Sequence, residues 1–216
     1  MDKKVIDRLI KYFSSYKQIS YKKGDTIIYS TDEPTGIYYI NNGYIKMNTL
    51  SIDGNELILN ILKPGSFFPT FWAIGGNPNS YSFIAMNKVN VYKSPKEDFL
   101  NFLKKNPEVL FDLTKRVFSG VDRLVANTTH LLAGNSEDRV ALALSIISER
   151  FGETMNNGII LIKLDLTHQD IADMVGITRE TASLAIGKLT KNNILKQQGR
   201  KFIIYDLKKL KDMTSY

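Results

Sequence analysis

The chain has 216 residues, a net charge of +7, and a composition 43% hydrophobic and 11% aromatic, which builds a core and excludes a disordered, collagen-like or low-complexity polymer. It has no cysteine and two histidines, which excludes disulfides, thiolate zinc sites, cysteine-ligated iron–sulfur clusters and cysteine catalysis, and leaves little for a metalloenzyme. What remains is an enzyme without thiol or metal chemistry, or a binding protein that favours anions.

The first residues are charged with no apolar stretch behind them, unlike a secretory signal. The longest apolar stretch, residues 140–147, is far below the roughly 20 residues that span a bilayer. The chain is therefore read as cytoplasmic, with no membrane partner. Residues 17–94 read as β-rich. Short runs at 37–40, 44–50 and 57–62 are β-branched and aromatic, and turn signals such as Asn41-Asn42-Gly43, Asp53-Gly54-Asn55 and Pro64-Gly65 separate them. Asp53-Gly54 between two apolar runs predicts a hairpin. Short strands at regular spacing suggest a sandwich, roll or barrel.

The pattern changes at Ser94. Ser94-Pro95-Lys96-Glu97 predicts an N-cap, a first-turn proline and a reciprocal acid, with a helix running to about Lys105. Asn106-Pro107 then breaks that helix and starts a longer one. In it Leu110, Thr114, Val117, Val121, Leu124, Thr128 and Leu131 recur at alternating spacings of four and three, a heptad-like stripe. Such a stripe packs on its own domain more often than on a partner. Two features favour a partner. The helix bridges two differently patterned halves, and a second apolar flank at Leu113, Phe118, Val125 and Leu132 is available to the β domain. Gly120 and Asn127 weaken a continuous coiled coil.

Residues 134–137 read as a short polar hinge, 139–151 as a helix and 159–162 as a strand. Thr167-His168-Gln169-Asp170 is a capping-box variant that opens a short helix with Ile171, Ala172 and Val175 on its apolar face. Gly176 suits the positive φ of a tight corner, and Thr178 caps the next helix. That helix has Ala182, Ala185, Ile186 and Leu189 on one face and Arg179, Glu180, Ser183, Leu184, Gly187, Lys188 and Lys191 on the other. Residues 194–205 alternate around Gly199 like a two-stranded wing. Charge switches along the same stretch. Residues 135–176 hold seven acids against three Lys/Arg, a net −4, whereas residues 177–211 hold nine Lys/Arg against two acids, a net +7. Helix, turn, helix and wing, with cations on the second helix and wing, point to double-stranded DNA as the partner.

The run Leu166-Thr167-His168-Gln169-Asp170-Ile171-Ala172-Asp173-Met174-Val175-Gly176-Ile177-Thr178-Arg179-Glu180-Thr181-Ala182-Ser183, the wing Gly199-Arg200-Lys201-Phe202-Ile203-Ile204-Tyr205, and Lys63-Pro64-Gly65-Ser66-Phe67-Phe68 resemble the cyclic-AMP receptor protein / fumarate–nitrate regulator (Crp/Fnr) family of bacterial transcription factors. The likeness covers nearly the whole chain and is looser in the roll. It implies an α+β fold: an antiparallel β-roll of the cyclic-nucleotide-binding jelly-roll kind over 1–106, a central dimerisation helix and hinge over 107–134, and a winged-helix DNA-binding domain over 135–216. It further implies a homodimer joined along the central helices by Leu110, Thr114, Val117, Val121, Leu124, Thr128 and Leu131. The two recognition helices would sit in successive major grooves about 34 Å apart. RNA polymerase is a further candidate partner.

The resemblance gives the DNA-facing residues roles. Arg179 matches a base-reading arginine, suited to guanine O6 and N7, and Glu180 matches an acidic neighbour that accepts from a cytosine amino group. Thr167, His168 and Gln169 match phosphate contacts from the first helix. Thr178, Thr181, Ser183, Lys188, Arg200 and Lys201 complete the expected interface. Leu184 departs from the pattern, since many members carry a second base-reading arginine there. A leucine covers a thymine methyl but cannot donate to guanine, so the half-site is expected to differ at one base pair.

The resemblance also implies an effector held between roll and central helix, here by Phe68, Pro69, Thr70, Phe71, Trp72, Asn79, Ser80 and Tyr81 with Leu124, Val125 and Thr128. Cyclic-nucleotide-binding members present a Gly-Glu-Leu turn to the ribose and an Arg-Ser/Thr pair to the cyclic phosphate. The matching places here read Pro69-Thr70-Phe71 and Asn79-Ser80, and no arginine stands between Arg8 and Arg116. A cyclic phosphate buried without its arginine binds poorly, which disfavours cyclic AMP and cyclic GMP. The absence of cysteine excludes the family's iron–sulfur sensors. Residues 1–129 hold no histidine for a haem, and His130 reads as a hinge or surface residue, so no metal is expected. The aromatic set points to an apolar or aromatic small effector, or to a roll packed shut without one. No G-x-S-x-G, P-loop or metal spacing marks an enzyme. A winged-helix protein-interaction module is the other alternative, against which the +7 segment and Arg179-Glu180 argue.

Overall fold

An N-terminal helix, α1 (Lys3–Phe13), repeats Val5, Leu9 and Phe13 at four-residue spacing and buries that face, and its N-cap Asp2 accepts from the Lys4 amide at 2.9 Å. The sequence pattern does not announce this helix, because its three buried residues lie among charges. The computed structural model describes residues 2–213, apart from the side chains of Arg123, residues 126–133 and Asn156. The chain divides into two compact units at Val121/Asp122.

In the first unit β1 (Gln18–Tyr21), β2 (Thr26–Ile28), β3 (Ile37–Asn42), β4 (Ile45–Leu50), β5 (Glu56–Leu62), β6 (Phe67–Phe68), the one-turn helix α2 (Thr70–Ala73), β7 (Ser82–Ala85) and β8 (Val89–Ser94) follow in order. The strands pair into two four-stranded antiparallel sheets, β1-β8-β3-β6 and β2-β7-β4-β5. The Asp53-Gly54 turn closes the β4–β5 hairpin, with Leu50 opposite Glu56 and Gly54 at φ +80°. Strand period explains why residues 37–40 form an unbroken apolar run. Tyr38 and Ile40 join the core between the sheets with Ile45, Phe68 and Phe83, whereas Ile37 and Tyr39 join a second core with Val5, Leu9 and Phe13 of α1. Both faces of β3 are thus covered.

Helix α3 (Lys96–Lys105) begins where expected, but Ser94 is not its cap. Pro95 holds the N-cap position with no side-chain bond, while Ser94 ends β8, fully buried, with its Oγ 2.5 Å from Tyr12 Oη and 3.1 Å from the Pro95 carbonyl. A buried hydroxyl takes the partners that tertiary packing supplies. Helix α4 (Pro107–Ala133) turns Val109 and Leu113 into the α1 core, and Arg116 lies with its guanidinium carbon 5.2 Å from the Phe67 ring centre and its Nε 3.0 Å from Asp112. Burial lowers the Arg116 pKa, and the Asp112 charge opposes that shift. Phe118, expected on the same flank as Leu113, is 70% exposed. Five residues separate the two, about 500° of helical rotation, which carries Phe118 roughly 140° away from the buried face.

In the second unit α5 (Ser136–Phe151) opens, within the polar segment 134–137, on a complete capping box between Asn135 and Asp138. β9 (Gly152–Thr154), β10 (Ile160–Ile162), α6 (His168–Val175), α7 (Arg179–Lys191), β11 (Leu195–Gln198), β12 (Lys201–Ile204) and α8 (Leu207–Asp212) follow. The strands form one antiparallel sheet, β11-β12-β10-β9. β9 was not anticipated. Gly152 makes it possible, because a Cβ there would collide with the Ser148 carbonyl and the Ile160 side chain. Among the described residues no helix is long and apolar enough to cross a membrane.

Candidate nucleic-acid interface

The corner between α6 and α7 is built from local chemistry. Thr167 Oγ1 accepts from the Asp170 amide at 3.1 Å, and Asp170 Oδ2 accepts from the Thr167 amide at 2.9 Å and its hydroxyl at 2.6 Å. Gly176 ends α6 in the left-handed region at φ 66°, and the Ile177 amide donates back to the Ala172 carbonyl at 3.2 Å. Thr178 then caps α7 by accepting from the Thr181 amide at 3.2 Å. Ala172 and Ala182 are fully buried where the helices meet, and α5 packs on both. Ala182, Ala185, Ile186 and Leu189 form the buried stripe of α7.

The opposite stripe of α7 faces solvent. Arg179, Glu180, Gly187, Lys188 and Lys191 are exposed, and Leu184 is 72% exposed, so it is not part of the core. Among the described residues Arg179 and Glu180 have no hydrogen-bond or ion-pair partner, and the Arg200 side chain in the wing turn is equally free. Two other cations of the expected interface are tied down. Lys188 Nζ is 3.0 Å from Glu137 and Lys201 Nζ is 2.9 Å from Asp165, with Lys201 also donating to the Lys163 carbonyl. Exposed pairs of this kind are worth at most about 1 kcal/mol and exchange readily for phosphates.

The three α6 residues expected to meet phosphate differ in what they offer. Thr167 spends its hydroxyl proton on Asp170, and Gln169, exposed, donates from Nε2 to Asp173 at 2.6 Å. His168 is half-buried with Nδ1 2.6 Å from Ser183 Oγ and Nε2 2.7 Å from Gln197 Oε1. Gln197 was absent from the expected set. The strand period of β11 was the available signal, since it places Gln197 on the side of buried Leu195.

The residues expected to hold an effector are scattered in environment. Phe68 packs between the sheets, its ring centre 5.4 Å from Tyr38 and 4.7 Å from Phe83. Trp72 lies in the α1 core, donates from Nε1 to Glu33 at 2.7 Å and is covered by Lys96 at 4.4 Å. These two rings fill cores. Pro69 is buried, Thr70 is half-buried, and Phe71 is exposed with its ring 5.9 Å from half-buried Tyr81. Asn79 spends Nδ2 on the Tyr29 and Tyr81 carbonyls at 3.0 and 2.9 Å, while Ser80 is exposed. A cavity of about 160 Å³ is lined instead by Thr26, Tyr29, Asn48, Glu56, Ser82 and Ile84, none of them in the expected set. Along α4, Leu110, Val117, Val121, Leu124 and Val125 are 40–66% exposed and Thr114 is exposed. Thr128, His130 and Leu131 lie outside the described side chains. Among the described residues no cluster of His, Asp or Glu is arranged to hold a metal.

These features define a protein with a β-sandwich of the cyclic-nucleotide-binding type and a winged helix-turn-helix. The family description "Cyclic nucleotide-binding domain" matches residues 18–106, and "Crp-like helix-turn-helix domain" matches residues 138–213. The chain is 28% identical over 198 residues to the transcriptional regulator SdrP of Thermus thermophilus, covering 91% of this chain and 93% of that protein. It is 24% identical over 192 residues to the CRP-like cAMP-activated global transcriptional regulator of Mycobacterium tuberculosis, covering 89% and 85%. Its fold superposes on a CooA mutant from Carboxydothermus hydrogenoformans with a TM-score of 0.78 at 22% identity, over 95% of this chain and 90% of that one. The chain belongs to the Crp/Fnr family, whose members are transcription regulators with a helix-turn-helix DNA-binding domain, not enzymes.

Proposed function

We propose that this protein is a homodimeric cytoplasmic regulator that reads an inverted-repeat DNA site through α7 and answers to a small effector other than cyclic AMP. The division is a sensor over 1–106, a dimerisation helix and hinge over 107–134, and a DNA-binding domain over 135–216. The observation that carries the reading is the solvent stripe of α7. Arg179 and Glu180 stand unpartnered at its start, Leu184 projects one turn on, and Arg200 flanks it from the wing. Arg179 reads guanine, Glu180 accepts from cytosine, and Leu184 covers a thymine methyl. Thr167, Gln169, Thr178, Thr181, Lys188, Arg200 and Lys201 meet the backbone. The apolar stripe from Leu110 to Leu124 on α4 joins two copies, and its 40–63% exposure supports that role. RNA polymerase is a candidate partner on the resemblance alone.

For the effector, the places that carry an arginine and a glutamate in cyclic-nucleotide binders hold Asn79 and Thr70, and the Asn79 amide is spent on backbone carbonyls. Phe71, Thr70, Ser80 and Tyr81 remain as its contacts in the roll. The burial of Phe68 and Trp72 favours a second reading, a closed roll that needs no effector. Fluorescence-anisotropy titration against a pool of inverted-repeat duplexes, at two salt concentrations and without effector, tests the whole. Tight sequence-selective binding supports DNA recognition by a closed roll, and weak, steeply salt-dependent binding that an apolar or aromatic molecule tightens supports the effector. Binding that ignores sequence under every condition refutes the assignment. Micromolar binding of cyclic AMP by calorimetry refutes its exclusion.

A further inference from the structure

Both ring nitrogens of His168 are held inside the protein. Gln197 donates from Nε2 to the Gly199 carbonyl at 2.9 Å, which orients the amide and turns Oε1 toward His168 Nε2, 2.7 Å away. Two acceptors cannot bond each other, so Nε2 carries the ring proton. With that single ring proton, Nδ1 is bare and accepts from the Ser183 hydroxyl at 2.6 Å. One directed chain therefore runs from Ser183 on the second turn of α7, through His168 at the start of α6, to Gln197 and the turn of the wing. β11 is the edge strand of its sheet, so its outer side has no ladder to hold it. The chain supplies that restraint. With both ring nitrogens engaged within the protein, neither is left to donate to a phosphate.

We propose that His168 is a positioning residue for DNA recognition, clamping the recognition helix and the wing in one register. Base contacts from Arg179, Glu180 and Leu184 and the phosphate contact from Arg200 then form together. The inference rests on the DNA-reading function proposed above. Holding contacts at fixed separation removes the ordering cost that a loose wing incurs on binding. His168 in this role raises discrimination and leaves the salt dependence of binding alone.

The test uses the intact protein. Nitrogen-15 spectra of the ring, recorded where it is neutral, should show protonated Nε2 and bare Nδ1, and a protonated Nδ1 would overturn the chain. Anisotropy then compares a selected inverted repeat with a scrambled duplex across a salt series. His168→Ala, Ser183→Ala and Gln197→Leu should each lower the specificity ratio about fivefold to 150-fold, from one net hydrogen bond in each of two half-sites, with unchanged salt slope. The Ser183→Ala/Gln197→Leu double variant should be no worse than the worse single one. His168→Gln, whose amide reaches the Nε2 position, should restore part of the loss. Should His168→Ala fail to fold, Gln197→Leu breaks the same chain from the wing. Equal loss on both duplexes with a shallower salt slope would make His168 a phosphate ligand and overturn the clamp. A wild type that discriminates alongside variants that match it would overturn the clamp alone. A wild type that discriminates nothing would overturn the DNA-reading function and the clamp with it.

Discussion

Replacing Arg179 by alanine isolates base reading from everything else α7 does. The residue opens the helix in solvent, and among the described residues nothing in the protein binds its guanidinium. The fold loses no hydrogen bond or ion pair among the described residues, so affinity lost on DNA is lost at the interface. A bidentate guanidinium–guanine pair discriminates by about 1–3 kcal/mol, and a two-fold dimer makes it twice, about 2–6 kcal/mol in all. Affinity for the selected site should therefore fall about 30-fold to about 20,000-fold. On a scrambled duplex only charge is lost, with a slope change of about 0.9 per phosphate contact. Anisotropy on both duplexes, with thermal unfolding beside it, separates the two. If Arg179→Ala weakened both duplexes by one factor, the residue would be a phosphate contact and base reading would be refuted. A fall of several degrees in melting temperature would show that the guanidinium has a structural partner after all.

Leu184→Arg adds a donor pair to an already exposed position and should move the preferred half-site toward guanine at one base pair, read by sequence selection; an unchanged preference would mean the side chain faces no base. Lys201→Ala should weaken selected and scrambled duplexes alike and flatten the salt slope by about 0.9 per subunit, whereas an unchanged slope would mean the ammonium stays on Asp165 in the complex. Phe68→Ala removes a ring stacked between Tyr38 and Phe83 and should cost about 3–5 kcal/mol in denaturant unfolding; a cost under about 1 kcal/mol would mean the ring faces a cavity. Val117→Glu with Val121→Glu places charge on the exposed stripe of α4 and should shift sedimentation toward the monomer, while a persistent dimer would relocate the interface.

The helix-turn-helix was legible because its signals are local. Thr167 and Asp170 cap each other three residues apart, Gly176 takes a φ that few other residues tolerate, and Ala182 to Leu189 obey helical period. The hairpin at Asp53-Gly54 was legible for the same reason. The second core was not. α1 contributes Val5, Leu9 and Phe13 from a strongly charged segment, and only the sheet face it covers reveals their purpose. Ser94 looked like a cap by its neighbours in sequence, yet Tyr12, 82 residues away, claimed its hydroxyl. Phe118 looked like part of a flank until the five-residue step was converted into rotation. The aromatic run from Phe67 to Trp72 carried no mark of which rings fill cores and which meet solvent, because period fails across a two-residue strand and a one-turn helix. His168 shows the limit most sharply. Its position at the start of α6 suits a phosphate contact, and every local cue agrees. Its partners lie 15 and 29 residues away, on a helix and on a strand whose meeting no local pattern encodes. Residue type and spacing can show that a side chain is equipped to donate a proton. Which acceptor receives it is decided by tertiary structure, and the clamp proposed for His168 turns on that decision.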